Sequence, residues 1–410
     1  MAIDGFGGFG NLPAGASDAI KPWKVHIPQA SLDNLKALLK VTPLAPQTYE
    51  NSLPNKQRTL GVRHDWISAT KQHWETDFDW RVQEAYINSF PHFRAQIEDG
   101  ELGHFDLHFV GLFSQRSDAI PILLLHGWPG CFVEFLDILD RVRARYQPDT
   151  LPYHLVVPSL PGYTLSSPPP IDKNIDSDGA ARILHGLTVE LGFDKYMIQG
   201  GDLGGRIGRV VAANYAACKA IHLNTGPMPP PEPATLASEI TETEQAGLDR
   251  HAAFKETGSA YAYAHATRPA TMGIVLSSSP VALLAWIGEK YMDWTDADPP
   301  VDDILTCITL YWVTNCAATS LWSYRQFYGP GAESHGTKRW HIHKPLGFSW
   351  FPNEITPVPK AWVETTGQLV FYRQHDRGGH FAAFEQPDRL WQDVEDFIAI
   401  VKDEFRPSAI

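Results

Sequence analysis

Hydrophobic spacing divides this chain into three kinds of segment. Over residues 21–100 apolar positions recur at helical intervals. SLDNLKALLKV sets Leu32, Leu35, Leu38 and Leu39 on one face, with Ser31 placed to cap the helix. HDWISATKQHWETDFDWRVQEAYINSF carries Trp66, Trp74, Trp80 and Tyr86 as an aromatic stripe suited to packing. The period then drops to two: HFDLHFVGLF alternates Phe105, Leu107 and Phe109 with His104, Asp106 and His108, which predicts a strand with one wet face. IPILLLHG follows as an unbroken apolar run, the mark of a strand buried on both sides. HLVVPS (154–159), KYMIQGG (195–201), AIHLN (220–224) and QLVFYR (368–373) repeat this short β-rich character, with helix-like FVEFLDILDRVRARY and DGAARILHGLTVELG between them. Strands alternating with helices predict an α/β fold with a mostly parallel, doubly wound sheet.

The third kind begins at the proline-rich TGPMPPPEPAT near residue 226. From there to about 345 the signals are helical; HIHKPLGFSWFP then leads back to a strand and a last helix, DRLWQDVEDFIAIVKDEF. A helical insertion in such a sheet forms a lid over the C-terminal strand ends, where these folds bind ligands. The chain therefore reads as a helical N-terminal extension (1–100), a first core segment (101–225), a helical lid (226–345) and a second core segment (346–410).

Composition narrows the partners. A net charge of −13 repels phosphate backbones and anionic lipid, which argues against nucleic acid and membrane surfaces. No apolar run reaches membrane-spanning length. The Gly-rich opening, read as a loose arm, lacks the basic start and apolar core of a signal peptide, and the terminal PSAI is no address tag. A soluble cytoplasmic protein is expected. Cys131, Cys218, Cys307 and Cys316 lack zinc or CxxC spacing and read as reduced thiols. His341 and His343 alternate without a third ligand nearby and read as an exposed strand face, so no metal is expected. Dinucleotide and P-loop fingerprints are missing, and no cofactor is expected.

Three motifs carry chemistry. Gly200-Gly201-Asp202-Leu203-Gly204-Gly205 stands between the strand KYMIQ and the helix-like RIGRVVAANYAA, the context of a nucleophile elbow. Small neighbours let the central residue take a strained backbone conformation. That residue is normally Ser; here it is Asp202. A carboxylate is ionised at neutral pH and attacks an sp³ carbon unaided, leaving an alkyl ester and a histidine free to activate water. His126-Gly127-Trp128-Pro129, at the end of the ILLL strand, aims the Trp128 N–H into the site; with the N–H of Leu203 it predicts an oxyanion hole. Gly378-Gly379-His380-Phe381 supplies the base after the last strand. Two acids fit as its partner, Glu354 and Asp376. If the attacked carbon bears a poor leaving group such as an alkoxide oxygen, that oxygen needs a proton donor as it departs, and the lid offers Tyr261, Tyr263, Tyr291, Tyr311, Tyr324 and Tyr328 without spacing that selects among them.

These residues resemble the microsomal-type epoxide hydrolases of the α/β-hydrolase superfamily, the soluble fungal members above all. KVHIPQASLDNLKALLK, HGWPG, PSLPGYTLSS, GGDLGG, YAYAHATRP, VLSSSPVALLAWIGEKY, GFSWFPNE and RGGHFAAFEQP carry the resemblance over nearly the whole chain. It implies an α/β-hydrolase fold with a lid, and an epoxide hydrolase acting on a small-molecule epoxide. It assigns Asp202 as nucleophile, His380 as base and Glu354 as triad acid. It places the lid tyrosines at Tyr261, ahead of Thr267-Arg268-Pro269, and Tyr324, in SYRQFY. It also implies a homodimer, while leaving open whether the role is detoxification or a dedicated pathway step. Leu203 departs from the pattern, since many relatives carry Trp or another bulky residue there, which bears on pocket width. Rival readings are a dehalogenase using the same aspartyl ester, a pathway-specific epoxide-opening enzyme, and a silent ligand-binding relative.

Overall fold

The computed structural model describes residues 6–236, 238–328 and 331–406. β1 (Ile20–Trp23) is followed by α1 (Gln29–Val41), α2 (His64–Thr76), α3 (Trp80–Ile87), β2 (His92–Asp99) and β3 (Gly103–Leu112). Then strand and helix alternate: β4 (Ile120–Leu125), α4 (Leu136–Arg145), β5 (Tyr153–Pro158), α5 (Ser177–Glu190), β6 (Tyr196–Gly200), α6 (Asp202–Asn214) and β7 (Cys218–Leu223). Five helices come next: α7 (Glu242–Thr257), α8 (Ala260–Thr267), α9 (Pro269–Ser278), α10 (Pro280–Asp293) and α11 (Val301–Val313). β8 (Ile342–Trp350), α12 (Lys360–Glu364), β9 (Gly367–Gln374), α13 (Ala382–Glu385) and α14 (Pro387–Val401) follow. The nine strands form one sheet in the order β1-β2-β3-β5-β4-β6-β7-β8-β9. β1, β2 and β3 run antiparallel to their neighbours, and the rest of the sheet is parallel. β4 lies between β5 and β6, so its apolar run from Ile122 to Leu125 is covered on both faces. Among the described residues no single helix is long and apolar enough to cross a membrane.

Several local expectations fail for identifiable reasons. The first hundred residues contain β1 and β2 as well as helices. β1 is too short to show a period, and the alternation of Phe93, Ala95 and Ile97 in β2 follows directly on a helical stripe. α1 starts at Gln29 after Pro28, so Ser31 lies inside the helix and caps nothing; Leu38 turns outward while Leu32, Leu35 and Leu39 are buried. β3 is wet only at its start. His108 is fully buried, hydrogen-bonded to His92 (2.9 Å) and Ser159 (2.9 Å), because β1 and β2 extend the sheet past it. The N-terminal arm is not loose where it is described: Phe9 is buried and its carbonyl accepts from the Phe113 N–H. Residues 1–5 of that arm and the tail at 407–410 lie outside the described residues. All four cysteines are buried thiols.

The N-terminal helices pack on the inserted ones. The fully buried Trp74 of α2 donates its indole N–H to the Thr309 hydroxyl of α11 (3.0 Å), and His73 meets Asp302 (2.6 Å). Arg58 pairs with Asp293 and Asp298 at the far end of α10. The other half of the insertion is held differently. Thr241 and Glu244 form a reciprocal cap at the start of α7, and Glu244 also accepts from the Lys360 N–H of α12 (2.8 Å). Truncating Trp74 to Ala removes both a packed indole and the seam hydrogen bond. The expected loss is about 3–5 kcal/mol of unfolding free energy, read from the denaturant midpoint.

Candidate active site

β6 ends at Gly200 and α6 begins at Asp202, so the chain must reverse almost within one residue. Asp202 does this at φ 45°, a strained position for a residue with a side chain. The turn fits because its surroundings are bare. A Cβ on Gly204 would fall on the main chain of Leu125 and His126, and one on Gly127 would fall on the Asp202 carboxylate. Asp202 therefore stands at the C-terminal edge of the sheet, at the positive end of α6. The Trp128 N–H donates to its Oδ1 (2.8 Å). His126 fixes that loop: its Nδ1–H donates to the Gly127 carbonyl (3.1 Å) while Nε2 accepts from the Leu160 N–H (3.1 Å). Burial pushes the His126 pKa down to about 4, which keeps the ring in this neutral form. Leu203 is buried in the first turn of α6.

The loop after β9 brings in His380. Its Nε2 lies 3.4 Å from Asp202 Oδ2, and its Nδ1 lies 3.0 and 3.1 Å from the two oxygens of Glu354. Glu354 is buried and accepts also from the Thr356 N–H (3.0 Å). Asp376, the other candidate acid, is 79% exposed and pairs with Arg389. Burial alone would lower the His380 pKa, but the Glu354 charge, helped by Asp202, outweighs it and holds the imidazole well above its ordinary value.

A cavity of about 730 Å³ opens above this row, lined by Asp202 and His380 below and by inserted residues above. Its walls are mainly apolar, among them Met228, Leu248, Phe254, Phe327 and Trp362. Tyr261 of α8 and Tyr324 both reach it, with their rings 5.9 Å apart edge to face. Burial raises both phenols well above the usual range, and the Asp202 charge adds to the rise. The other lid tyrosines divide by position. Tyr328 lines the cavity wall, Tyr263 is exposed, Tyr291 stacks on Phe381, and Tyr311 donates to the Gly130 carbonyl (2.9 Å).

Three residues absent from the motif reading also shape the site. Trp294 sits edge-on to His380 (5.0 Å) and near Tyr261 (5.2 Å), and its carbonyl accepts from the His380 N–H (2.8 Å). His265, one turn after Tyr261, is fully buried against Trp128 and Tyr324, and burial pushes its pKa down to about 3. The i, i+4 spacing of Tyr261 and His265 was the available signal. The third, Glu134, had none beyond lying four residues after HGWPG.

The profile described as "Epoxide hydrolase N terminus" matches residues 20–135, and "alpha/beta hydrolase fold" matches residues 120–260. The solved Aspergillus niger epoxide hydrolase is 45% identical, with a TM-score of 0.90 over 96% of this chain and 99% of that one. Epoxide hydrolase 1 of Oryctolagus cuniculus is 32% identical over 97% of this chain and 93% of its own. Juvenile hormone epoxide hydrolase of the silkworm Bombyx mori shares the fold (TM-score 0.81, 24% identity, 95% of this chain and 96% of that one).

Since the Asp202 charge contributes to the raised His380 pKa, Asp202→Asn removes one of the two carboxylates that lift it. The imidazole is expected to titrate at lower pH in that variant than in the native chain, as followed by NMR; an unchanged or higher value would break the proposed coupling.

Proposed function

Because this chain belongs to the epoxide hydrolase family, we propose that it converts epoxides and water to vicinal diols by way of an ester on Asp202. The reading is carried by one arrangement: Trp128 N–H, Asp202, His380 and Glu354 in a row at the foot of a cavity that Tyr261 and Tyr324 enter from the other side. The size and apolar walls of that cavity suit an epoxide bearing a bulky apolar substituent.

In the first step Oδ2 of Asp202 attacks a ring carbon, Oδ1 being engaged by Trp128. The ring C–O bond breaks as the Oδ2–C bond forms, and the departing oxygen takes a proton from one lid tyrosine while the other hydrogen-bonds it. High phenol pKa values keep both hydroxyls protonated and ready to donate. In the second step water attacks Cγ of the ester and gives a proton to His380, which Glu354 orients. The N–H groups of Trp128 and Leu203 hold the oxyanion. The Cγ–Oδ2 bond then breaks, the diol oxygen takes a proton from the imidazolium, and the proton left over with the carboxylate restores the tyrosine. Ester formation also cancels the Asp202 charge. His380 is thereby freed from one cause of its raised pKa at the moment it must act as a base.

Two tests follow. His380→Gln incubated with styrene oxide is expected to gain the mass of one epoxide, and His380→Gln with Asp202→Asn to gain none; a gain in the double variant would place the ester elsewhere. Tyr261→Phe and Tyr324→Phe should each slow ester formation by about 100-fold in rapid-quench single turnovers. Native rates in both variants would remove the tyrosines from the mechanism.

A further inference from the structure

Two lid tyrosines reach the cavity, but ring opening takes one proton, and the two phenols stand in unequal surroundings. α10 carries Trp286 and Lys290 four residues apart, and Trp294 follows four residues later, just past its end, so the three side chains share one face. That face meets Tyr261 of α8. The Lys290 ammonium lies 4.8 Å from the centre of the Tyr261 ring, 5.4 Å from that of Trp286 and 6.0 Å from that of Trp294. Lys290 is buried, yet it does not line the substrate cavity. Among the described residues its one hydrogen-bonding and ion-pair partner is Glu289.

Lysines are seldom buried this deeply, and an apolar side chain of similar length would fill the space as well, so the charge itself needs a reason. Its field reaches the site: after burial, the Lys290 charge is the second cause that lowers the pKa of His265, one turn along α8 from Tyr261. Glu289 offsets part of that field. Its side chain is 28% exposed against 4% for Lys290, so solvent screens the carboxylate more than the ammonium. Tyr324 has no such neighbour. Among the described residues no cation lies over its ring, which is surrounded by Trp128, Tyr261, Phe327 and the neutral His265. Burial raises both phenols most, but the contact between the two hydroxyls works against that rise at Tyr261 and adds to it at Tyr324. A ring attracts a cation over its face, and the attraction grows as the ring oxygen takes on negative charge.

We propose that Lys290 steadies the negative charge that grows on the Tyr261 oxygen as the epoxide opens, so that Tyr261 gives up the proton while Tyr324 keeps its own and hydrogen-bonds the departing oxygen. The O–H bond of Tyr261 breaks as that of the new alcohol forms, and the phenolate stays beside the ammonium until its proton returns at the end of the cycle. Lys290 thus acts through Tyr261. This rests on the ester mechanism above, and the test separates the two. Lys290→Met, Lys290→Gln and Lys290→Arg are made in the native chain, and the two neutral variants also with Tyr261→Phe and with Tyr324→Phe. Ester formation from styrene oxide is followed in single turnovers by quenched intact mass. Lys290→Met should slow it about 10-fold in the native chain and in Tyr324→Phe, but less than about 2-fold in Tyr261→Phe, where no phenol is left for the charge to act on. Lys290→Gln should behave alike and covers the case in which the Met variant does not fold. Lys290→Arg keeps the charge and should recover most of the rate. A packing role would slow all three chains equally, because Tyr261→Phe leaves the ring in place; that outcome overturns the inference. So does a native rate in both neutral variants, or an Arg variant as slow as they are. If Tyr261→Phe alone forms the ester at the native rate, or the native chain forms none, the parent mechanism fails and this inference with it.

Discussion

The site depends on one steric constraint: the turn carrying Asp202 meets the end of β4 with no room for a side chain between them. Holding a residue with a side chain at positive φ costs about 1–3 kcal/mol, and only a surrounding structure that admits no alternative keeps it there. Here β4 and β6 are adjacent strands of a parallel sheet, and Gly204 and Gly127 bring their loops into direct contact with the carboxylate between. Everything at the site is measured from that point. Trp128 engages one carboxylate oxygen, His380 faces the other, and the inserted helices close over both.

Burial then sets the protonation states that the proposed chemistry needs, and it acts in opposite directions on neighbouring groups. It keeps the lid phenols protonated and His126 and His265 neutral, whereas at His380 two carboxylates override it. The difference is contact. His126 and His265 have only neutral hydrogen-bond partners, while His380 is bonded at Nδ1 to Glu354 and faces Asp202 at Nε2. The same site thus holds two imidazoles that burial keeps neutral and a third that carboxylates lift.

Much of this was legible in the chain. Period-two and unbroken apolar runs located the strands from β3 to β7 and β9, and the elbow, HGWPG and GGH motifs announced themselves by glycine spacing. What failed was either too short or too distant to leave a pattern. β1 has four residues, and β2 merges with the helical stripe before it. The choice between Glu354 and Asp376 turned on which loop folds under His380, a matter of tertiary placement that sequence order leaves open. Glu134, Trp294 and His265 matter through what the fold sets beside them, and an isolated Glu, Trp or His carries no mark of that.

The packing of α2 on α11 has a consequence for how the chain is made. Trp74 and its partner Thr309 are 235 residues apart. At a synthesis rate of about 5–20 residues per second, on the order of ten to fifty seconds separate their emergence. Throughout that interval the part of α2 that α11 will cover is complete while its partner has yet to be made. The seam between α2 and α11 thus stays open while the central sheet up to β7 is being laid down. The N-terminal helices are the first to be translated, yet they are among the last to be buried.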